Sequence, residues 1–396
     1  MEVEERIRRD NRDMADEIVY RMHSYKTDLG RFVDREGEAK EILERGWDRV
    51  VEGGWITVLY GPKGCGKSTF FMVLSEAADQ AGAGLDVMVV KRPEDAVQGS
   101  VLHLPKSLKD LAGSIARYIR DSQISPDQVT IVSTSTIFNI TFTLASYVAS
   151  RLRRGRKVLI VLDEVRADSQ EHLSIFRQWL ESFANDLAKY NRDYSRKGGS
   201  IAVIALTSDA LVREIRHVVG GKVNWALIWN LSRISYEELI SQMGLHHRVA
   251  RELGIGYEES RELLWRLAGG NPRALRMIWK SGLKVWLEGE VIGGIRSFAQ
   301  GLPIEVRGKA LEEISASLDR VDGIGWIDPS IWKAMLRHNI IIYIAAANKI
   351  SEIPSEPWIG REYAFQIPAY YYALKATARR RSLDISPEEV IREAMG

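Results

Sequence analysis

Two kinds of hydrophobic pattern divide the chain. Up to about residue 230, short runs that are apolar on both faces alternate with longer segments whose apolar residues recur every three or four positions. Runs of the first kind are typical of parallel strands covered on both sides, and the longer segments are typical of amphipathic helices. The predicted strands are residues 55–60, 85–90, 157–162, 201–206 and 225–231, and the predicted helices are residues 67–81, 169–190 and 209–218. The alternation predicts an α/β fold, a parallel sheet covered by helices.

The rest of the chain is organised differently. From residue 235 to 321 the apolar spacing is helical throughout, which predicts a small helical domain. From residue 322 the order is helix, strand, strand, helix, which is typical of a winged-helix-like domain. We therefore predict four parts, namely an N-terminal helical extension at 1–30, the sheet domain at 31–234, the helical domain at 235–321 and the winged-helix-like domain at 322–396.

Composition narrows the classes of protein. Hydrophobic residues make up 45% of the 396 positions and the formal net charge is +2, too close to neutral to indicate nucleic acid or membrane. One cysteine, Cys65, excludes an intramolecular disulfide framework and a cysteine-based zinc site. Residues 129–148 carry no charge, but they are rich in Ser and Thr, so we predict a buried element and no membrane span. No signal peptide is evident at the N-terminus, and we predict a cytoplasmic protein.

The stretch GPKGCGKST, residues 61–69, is called the phosphate loop below. Gly61, Gly66, Lys67 and Ser68 satisfy the pattern G-x-x-x-x-G-K-[ST], with a buried strand before it and a helix after it. Glycines let consecutive amides turn toward phosphate oxygens, Lys67 reaches the β- and γ-phosphates, and Ser68 places its hydroxyl on Mg²⁺. A purely structural turn is the alternative, which the strand and helix context disfavours. The predicted nucleotide-binding residues of the loop are Gly61, Pro62, Lys63, Gly64, Cys65, Gly66, Lys67, Ser68 and Thr69.

Two acidic residues end the third predicted strand. Ligand sites in open parallel sheets lie at the carboxyl ends of strands, so Asp163 is expected to hold Mg²⁺ beside the phosphate loop. Glu164 is expected to polarise the water that attacks the γ-phosphate. The alternative is a strand that merely ends on solvated acids. The adjacent acidic pair favours a nucleotide hydrolase over a small-molecule kinase.

The fourth predicted strand ends on two hydroxyl residues. Thr207 or Ser208 is expected to contact the γ-phosphate or the attacking water, although Ser208 also suits the N-cap of the next helix. We therefore predict Lys67, Glu164, Thr207 and Ser208 as catalytic residues. The only Asn-Lys dipeptide, at Asn348, lacks the aspartate of a guanine reader and lies outside the sheet domain, so ATP/ADP with Mg²⁺ is the predicted cofactor.

These motifs resemble the archaeal ATPase family of the STAND class, P-loop NTPases related to AAA+ proteins. The resemblance rests on the phosphate loop, on VLIVLDEV at 158–165, on FVDREGEAKEIL at 32–43, on GGNPRAL at 269–275, and on the tail at 339–375. It implies that Phe32 and Arg35 lie near the base, that Pro272 of a helical lid contacts adenine, and that Arg273 approaches the phosphates. From the residues alone, an ordinary helix stop and restart explains 269–272 equally well.

Three functions remain open from the sequence. The first is an ATP-binding, slowly hydrolysing switch whose nucleotide state sets the position of the lid and the winged-helix-like domain, with slow turnover if Arg166 pairs with Glu164. The second is a DNA-acting AAA+ ATPase that binds duplex DNA through the C-terminal domain, with Arg213 or Arg216 acting on a neighbouring copy. The third is an adaptor without turnover. The basic runs at 151–157 and 378–381 suit either phosphate contact or helix ends, and the partner and oligomeric state stay open.

Overall fold

A mostly parallel sheet forms the centre of the N-terminal half. The computed structural model describes residues 2–45, 56–90, 102–103, 156–163, 170–195, 199–207, 223–345 and 347–396. The strands in these ranges are β1 Lys26–Thr27, β2 Gly30–Arg31, β3 Ile56–Tyr60, β4 Leu85–Val90, β5 Leu102–His103, β6 Lys157–Leu162, β7 Ser200–Thr207, β8 Val223–Leu227, β9 Ile341–Tyr343, β10 Asn348–Lys349 and β11 Tyr363–Phe365. The main sheet has the order β10-β8-β3-β7-β6-β4-β5, and only β5 is antiparallel to its neighbour. The predicted α/β fold is confirmed.

Helices surround this sheet and form the C-terminal half. They are α1 Glu2–Met22, α2 Glu36–Lys40, α3 Lys67–Ala81, α4 Gln170–Ser195, α5 Arg233–Gln242, α6 Leu245–Leu253, α7 Tyr257–Ala268, α8 Pro272–Ser281, α9 Leu283–Trp286, α10 Gly293–Gly301, α11 Ile304–Ser317, α12 Pro329–Arg337, α13 Pro368–Arg380 and α14 Pro387–Met395. A π-helical turn, Glu41–Arg45, continues α2, and a second one, Leu287–Ile292, joins α9 to α10. A 3-10 turn, Val321–Trp326, precedes α12.

One face of the sheet is covered by α1 and α3. Phe70, Phe71 and Leu74 of α3 share a buried core with Ile18 and Met22 of α1 and with alternate residues of the strands. Because side chains alternate across a strand, the remaining strand residues face the opposite side, where α4 packs against β7. The N-terminal helix is thus packed onto the sheet domain rather than extending from it.

Two predicted element boundaries are wrong. The strand predicted at 225–231 runs from Val223 to Leu227, because its partner β3 ends at Tyr60, which pairs with Leu227. The helix predicted at 169–190 runs on to Ser195. The predicted helix at 209–218 and the uncharged stretch at 129–148 lie outside the described residues. Within the described ranges, no helix combines the length and the apolar character that crossing a membrane requires.

The C-terminal half has a single hydrophobic core. Buried residues from Leu231 to Ala394 form one cluster, so the boundary predicted at 321 falls inside it and the division into two domains stays a prediction. The elements α12, β9, β11 and α13 follow the predicted order of helix, strand, strand and helix. Strand β11 pairs antiparallel with β9.

Strand β10 follows β9 in the sequence but pairs with the main sheet and not with the β9–β11 ribbon. Asn348 and Lys349 pair in parallel with Ala226 and Leu227 of β8, and the Ile350 N–H donates to the Leu227 carbonyl at 3.0 Å. No sequence pattern predicts this strand. It fixes a C-terminal segment to the edge of the sheet that carries the phosphate loop.

Candidate nucleotide site

The phosphate loop joins β3 to α3. Gly64 and Gly66 have positive φ angles of 83° and 98°, a backbone region that residues with a Cβ rarely adopt. At Gly64 a Cβ would also lie 2.4 Å from the Cβ of Arg273. Helix α3 begins directly after Gly66, so its free N-terminal amides face the space that the loop encloses.

The polar side chains of the loop meet the end of β6. The Ser68 hydroxyl donates to Asp163 Oδ1 at 2.9 Å, and Asp163 is buried at the carboxyl end of its strand. Lys67 Nζ lies 2.9 Å from the Gly61 carbonyl oxygen and 3.2 Å from that of Pro62. A hydroxyl and a carboxylate this close are the hard oxygen donors that Mg²⁺ prefers. The geometry fits the predicted metal ligands, Ser68 and Asp163.

Thr207 ends the strand that lies between the one leading into the phosphate loop and the one ending next to Asp163. It ends β7, the strand between β3 and β6, and it pairs in register with Tyr60, the last residue before the loop. A side chain at this position is at the same sheet edge as Lys67 and Asp163. The predicted catalytic residues Glu164 and Ser208, together with Arg166, Arg213 and Arg216, lie outside the described residues.

A cleft of about 610 Å³ extends from the loop. Its lining includes every predicted nucleotide-binding residue except Gly61 and Pro62, namely Phe32, Arg35, Lys63, Gly64, Cys65, Gly66, Lys67, Ser68, Thr69, Pro272 and Arg273. Residues of the β1–β2 hairpin, of α5 and of α8 also line the cleft. The structure thus gathers predicted binding residues that are up to 241 positions apart in the sequence, from Phe32 to Arg273, around one concave space.

Arg35 is a buried residue that binds a backbone carbonyl of the phosphate loop. Only 2% of it is exposed, and its guanidinium donates to Glu38 Oε1 and to the carbonyls of Cys65 and Trp229, each at 2.7 Å. Asp34 and Arg35 both have positive φ angles, and the Asp34 carboxylate accepts from the Ser232 N–H at 3.0 Å. Since these protein groups hold the guanidinium, Arg35 contributes mainly to the position of the loop. A contact with the base stays a prediction.

The start of α8 is docked onto the loop. Gly269 ends α7 with a φ of 58°, the Asn271 side chain caps α8, and Pro272 is the first helical residue. The Arg273 N–H donates to the Gly64 carbonyl at 3.3 Å, and its guanidinium pairs with Glu290 at 3.2 Å. The helix stop and restart is present, and it lies against the phosphate loop. The two interpretations of residues 269–272 are therefore compatible.

A buried polar network, called the Gln366 network below, was missed from the sequence. The Lys63 N–H donates to Gln366 Oε1 at 2.7 Å, and the Lys63 carbonyl accepts from Asn271 Nδ2 at 3.0 Å. Asn271 also donates to Asn230 Oδ1 at 2.9 Å, and Asn230 donates to the Gln366 carbonyl at 3.1 Å. The one available signal was a glutamine following the apolar run YAF. The network joins the loop, the end of the sheet, α8 and β11.

A second cavity of about 330 Å³ adjoins this network. Burial raises the pKa of Tyr370 to about 12, and Glu290 adds to the rise. Burial also lowers the pKa of His338, helped by Arg337. Tyr370 and His338 are therefore neutral near pH 7, and the charges lining the cavity come from Lys63, Arg273 and Glu290.

The thiol of Cys65 is packed inside the sheet-side core. From sequence, a bulky thiol reagent is expected to block the loop. The side chain is fully buried, however, with Sγ 3.8 Å from Lys67 Nζ. We now expect the folded protein to react with less than about a tenth of an equivalent of a chromogenic disulfide reagent in one hour, because a buried thiol is inaccessible. Denatured protein provides the control and should release one equivalent; rapid labelling of folded protein contradicts the burial.

Comparisons with known proteins address the family. A family model described as an ATPase domain predominantly from Archaea matches residues 32–278, more than half of the chain. A solved structure described as "Structure of Drosophila ORC bound to DNA" is 13% identical, with a TM-score of 0.34 over 78% of this chain and 74% of that one. A search of curated proteins gave no match. The chain therefore belongs to the family of P-loop ATPase domains found predominantly in Archaea.

Proposed function

We propose that this protein is an ATP-binding and ATP-hydrolysing switch in which the nucleotide controls how the C-terminal half docks on the phosphate loop. The observation that carries the proposal is the hydrogen bond from the Lys63 N–H to Gln366. It connects a backbone amide of the loop to a residue 303 positions later in the chain. We propose in addition that the protein belongs to the STAND class.

The proposed binding and catalytic residues divide the work of hydrolysis. Loop amides and Lys67 bind the phosphates, and Ser68 and Asp163 hold Mg²⁺, which supplies charge neutralisation at the phosphates. Glu164 accepts a proton from the attacking water, and Thr207 and Ser208 orient that water or the γ-phosphate. Pro272 and Arg273 bring the lid to the nucleotide. The 2.9 Å contact between Ser68 and Asp163 supports the metal part of this assignment.

The coupling follows from the chemistry of one N–H group. A backbone amide has a single proton, so a γ-phosphate oxygen that accepts from Lys63, which ATP has and ADP lacks, weakens the bond to Gln366. Gln366 is 2% exposed, and the loss of one hydrogen bond of this kind costs about 1 kcal/mol. Nucleotide binding and C-terminal docking therefore compete. By linkage, whatever pulls on the C-terminal half changes nucleotide affinity.

Amide hydrogen exchange tests this competition. Glu164→Gln is expected to abolish hydrolysis and keep ATP bound, which gives a stable ATP complex. We expect the amides of β9, β10 and β11 to exchange at least about fivefold faster with ATP than with ADP, as a coupling of about 1 kcal/mol implies. The interior of α7 provides the internal control. Equal exchange in both complexes excludes the switch, and equal, near-zero turnover by wild type and variant leaves an adaptor.

Duplex DNA remains the second candidate partner, with less support from the contacts. In the run at 378–381, Arg379 pairs with Glu393 at 2.7 Å and Arg380 pairs with Glu389 at 2.6 Å. Strand β10 comes between β9 and β11 in the sequence. It pairs with β8 of the main sheet and is therefore engaged within the protein. Binding to duplex DNA that weakens steeply with salt would favour this candidate.

A further inference from the structure

The cleft has a second end that the phosphate loop does not form. If phosphates bind at the loop, as proposed above, the base of the nucleotide lies at the opposite end of the cleft. The cleft is also lined by Thr27, Asp28 and Leu29 of the β1–β2 hairpin and by Arg276 of α8. Arg276 lies three residues further along α8 than Arg273, which contacts the loop, so we assign this side of the cleft to the base. The hairpin lies before the family match, which begins at residue 32.

The hairpin and its flanking residues pack against two hydrophobic cores, that of the C-terminal half and that on the sheet. The Thr27 hydroxyl donates to the Gly30 carbonyl at 3.1 Å and accepts from the Leu29 N–H at 3.2 Å, which closes the turn. Leu29 and Val33 pack against the core of the C-terminal half. Tyr25 and Phe32 pack against the core on the sheet. The hairpin therefore contacts both bodies that enclose the cleft.

Two polar contacts tie the hairpin to the C-terminal half. The Arg31 N–H donates to Gln242 Oε1 of α5 at 2.7 Å. Arg276 Nη2 pairs with Asp28 Oδ1 at 2.5 Å, and the two side chains are 39% and 57% exposed. Arg276 lies one turn after Pro272 and Arg273, on the face of α8 that lines the cleft. The pair therefore bridges the rim of the cleft at its base end.

We propose that Asp28 and Arg276 form a latch that retains the bound nucleotide. A nucleotide leaving at the base end has to pass between the hairpin and α8, and the ion pair holds these two elements together. The latch does not touch the phosphates. It therefore acts on the dissociation rate of the whole nucleotide and leaves hydrolysis of bound ATP unchanged.

Stopped-flow release of a fluorescent ADP analogue tests the latch. Asp28→Asn and Arg276→Gln are each expected to speed dissociation about two- to fivefold, the range for a partly exposed ion pair. The double variant should release no faster than either single one, because both changes break the same contact. The charge swap Asp28→Arg with Arg276→Asp should slow release again. High salt should speed release from wild type more than from the variants.

Arg296→Gln is the matched control. Arg296 is also 39% exposed and pairs with Glu288 at 2.7 Å in the same half of the molecule, but it does not line the cleft. Its removal should leave the release rate unchanged. Unchanged rates in Asp28→Asn and Arg276→Gln would overturn the latch while leaving the proposed function intact. Absence of any nucleotide binding by wild type would overturn both.

Discussion

Lys67→Ala is expected to lower the rate of ATP hydrolysis by at least about a hundredfold, the usual loss when one charged or donor group aimed at a transition state is removed. Of the two lysines in the loop, Lys67 is the one whose Nζ lies close to the loop carbonyls of Gly61 and Pro62. A compact ammonium at this point neutralises charge on the β- and γ-phosphates as the bond to the leaving oxygen breaks. No other described lysine or arginine side chain bonds to these carbonyls.

Steady-state phosphate release measures the loss, with nucleotide affinity determined separately. Lys63→Ala is the matched comparison, because Lys63 lies on the same loop but bonds through its backbone to Gln366 and Asn271. It should retain at least about a third of the wild-type rate, a change under 1 kcal/mol. Similar activities for Lys67→Ala and wild type would remove Lys67 from the mechanism. A loss confined to KM would show uniform binding of substrate and transition state instead.

The parts of the site that could be predicted are those with a local cause. The phosphate loop needs glycines at positive φ, a cation and a hydroxyl at fixed spacing, so the residue pattern alone is enough to predict the loop. The central strands β4, β6 and β7 are buried at all but one position, so their runs are apolar on both faces. Asp163 could be placed at the same sheet edge because it ends such a run. These features depend on neighbours within a few residues.

The parts that could not be predicted depend on contacts between distant segments. Gln366 is one polar residue after a strand, and nothing near it reveals that its oxygen accepts from Lys63. Strand β10 has two residues, both exposed. The segment is a strand because it pairs with β8, a contact that no local pattern reveals. Arg35 donates to carbonyls 30 and 194 positions away in the sequence, and no local pattern indicates these partners. Side-chain pairing across a fold has no periodic signature.

Arg35→Ala is expected to lower the free energy of unfolding by about 3–5 kcal/mol, the range for removing one member of a buried ion pair. The change leaves Glu38, with only 7% of its side chain exposed, without its cation. It also removes the donor to the carbonyls of Cys65 and Trp229, the first in the phosphate loop and the second just after β8. Glu38 keeps the Ser351 hydroxyl at 2.7 Å, a neutral donor that does not replace the charge. The loop and the end of β8 should therefore loosen together.

Thermal and urea unfolding followed by circular dichroism measure this loss, and the thermal midpoint should fall by about 4–6 °C. Arg35→Lys keeps the charge but lacks the rigid guanidinium that reaches three acceptors. Its stability should therefore lie between those of wild type and Arg35→Ala. Arg35→Met combined with Glu38→Leu should recover part of the stability, because it removes both buried charges. Arg276→Gln, which breaks a surface pair, should cost less than about 1 kcal/mol. If Arg35→Ala costs no more than Arg276→Gln, Arg35 does not hold the loop, and a free guanidinium facing the base becomes the better account of this residue.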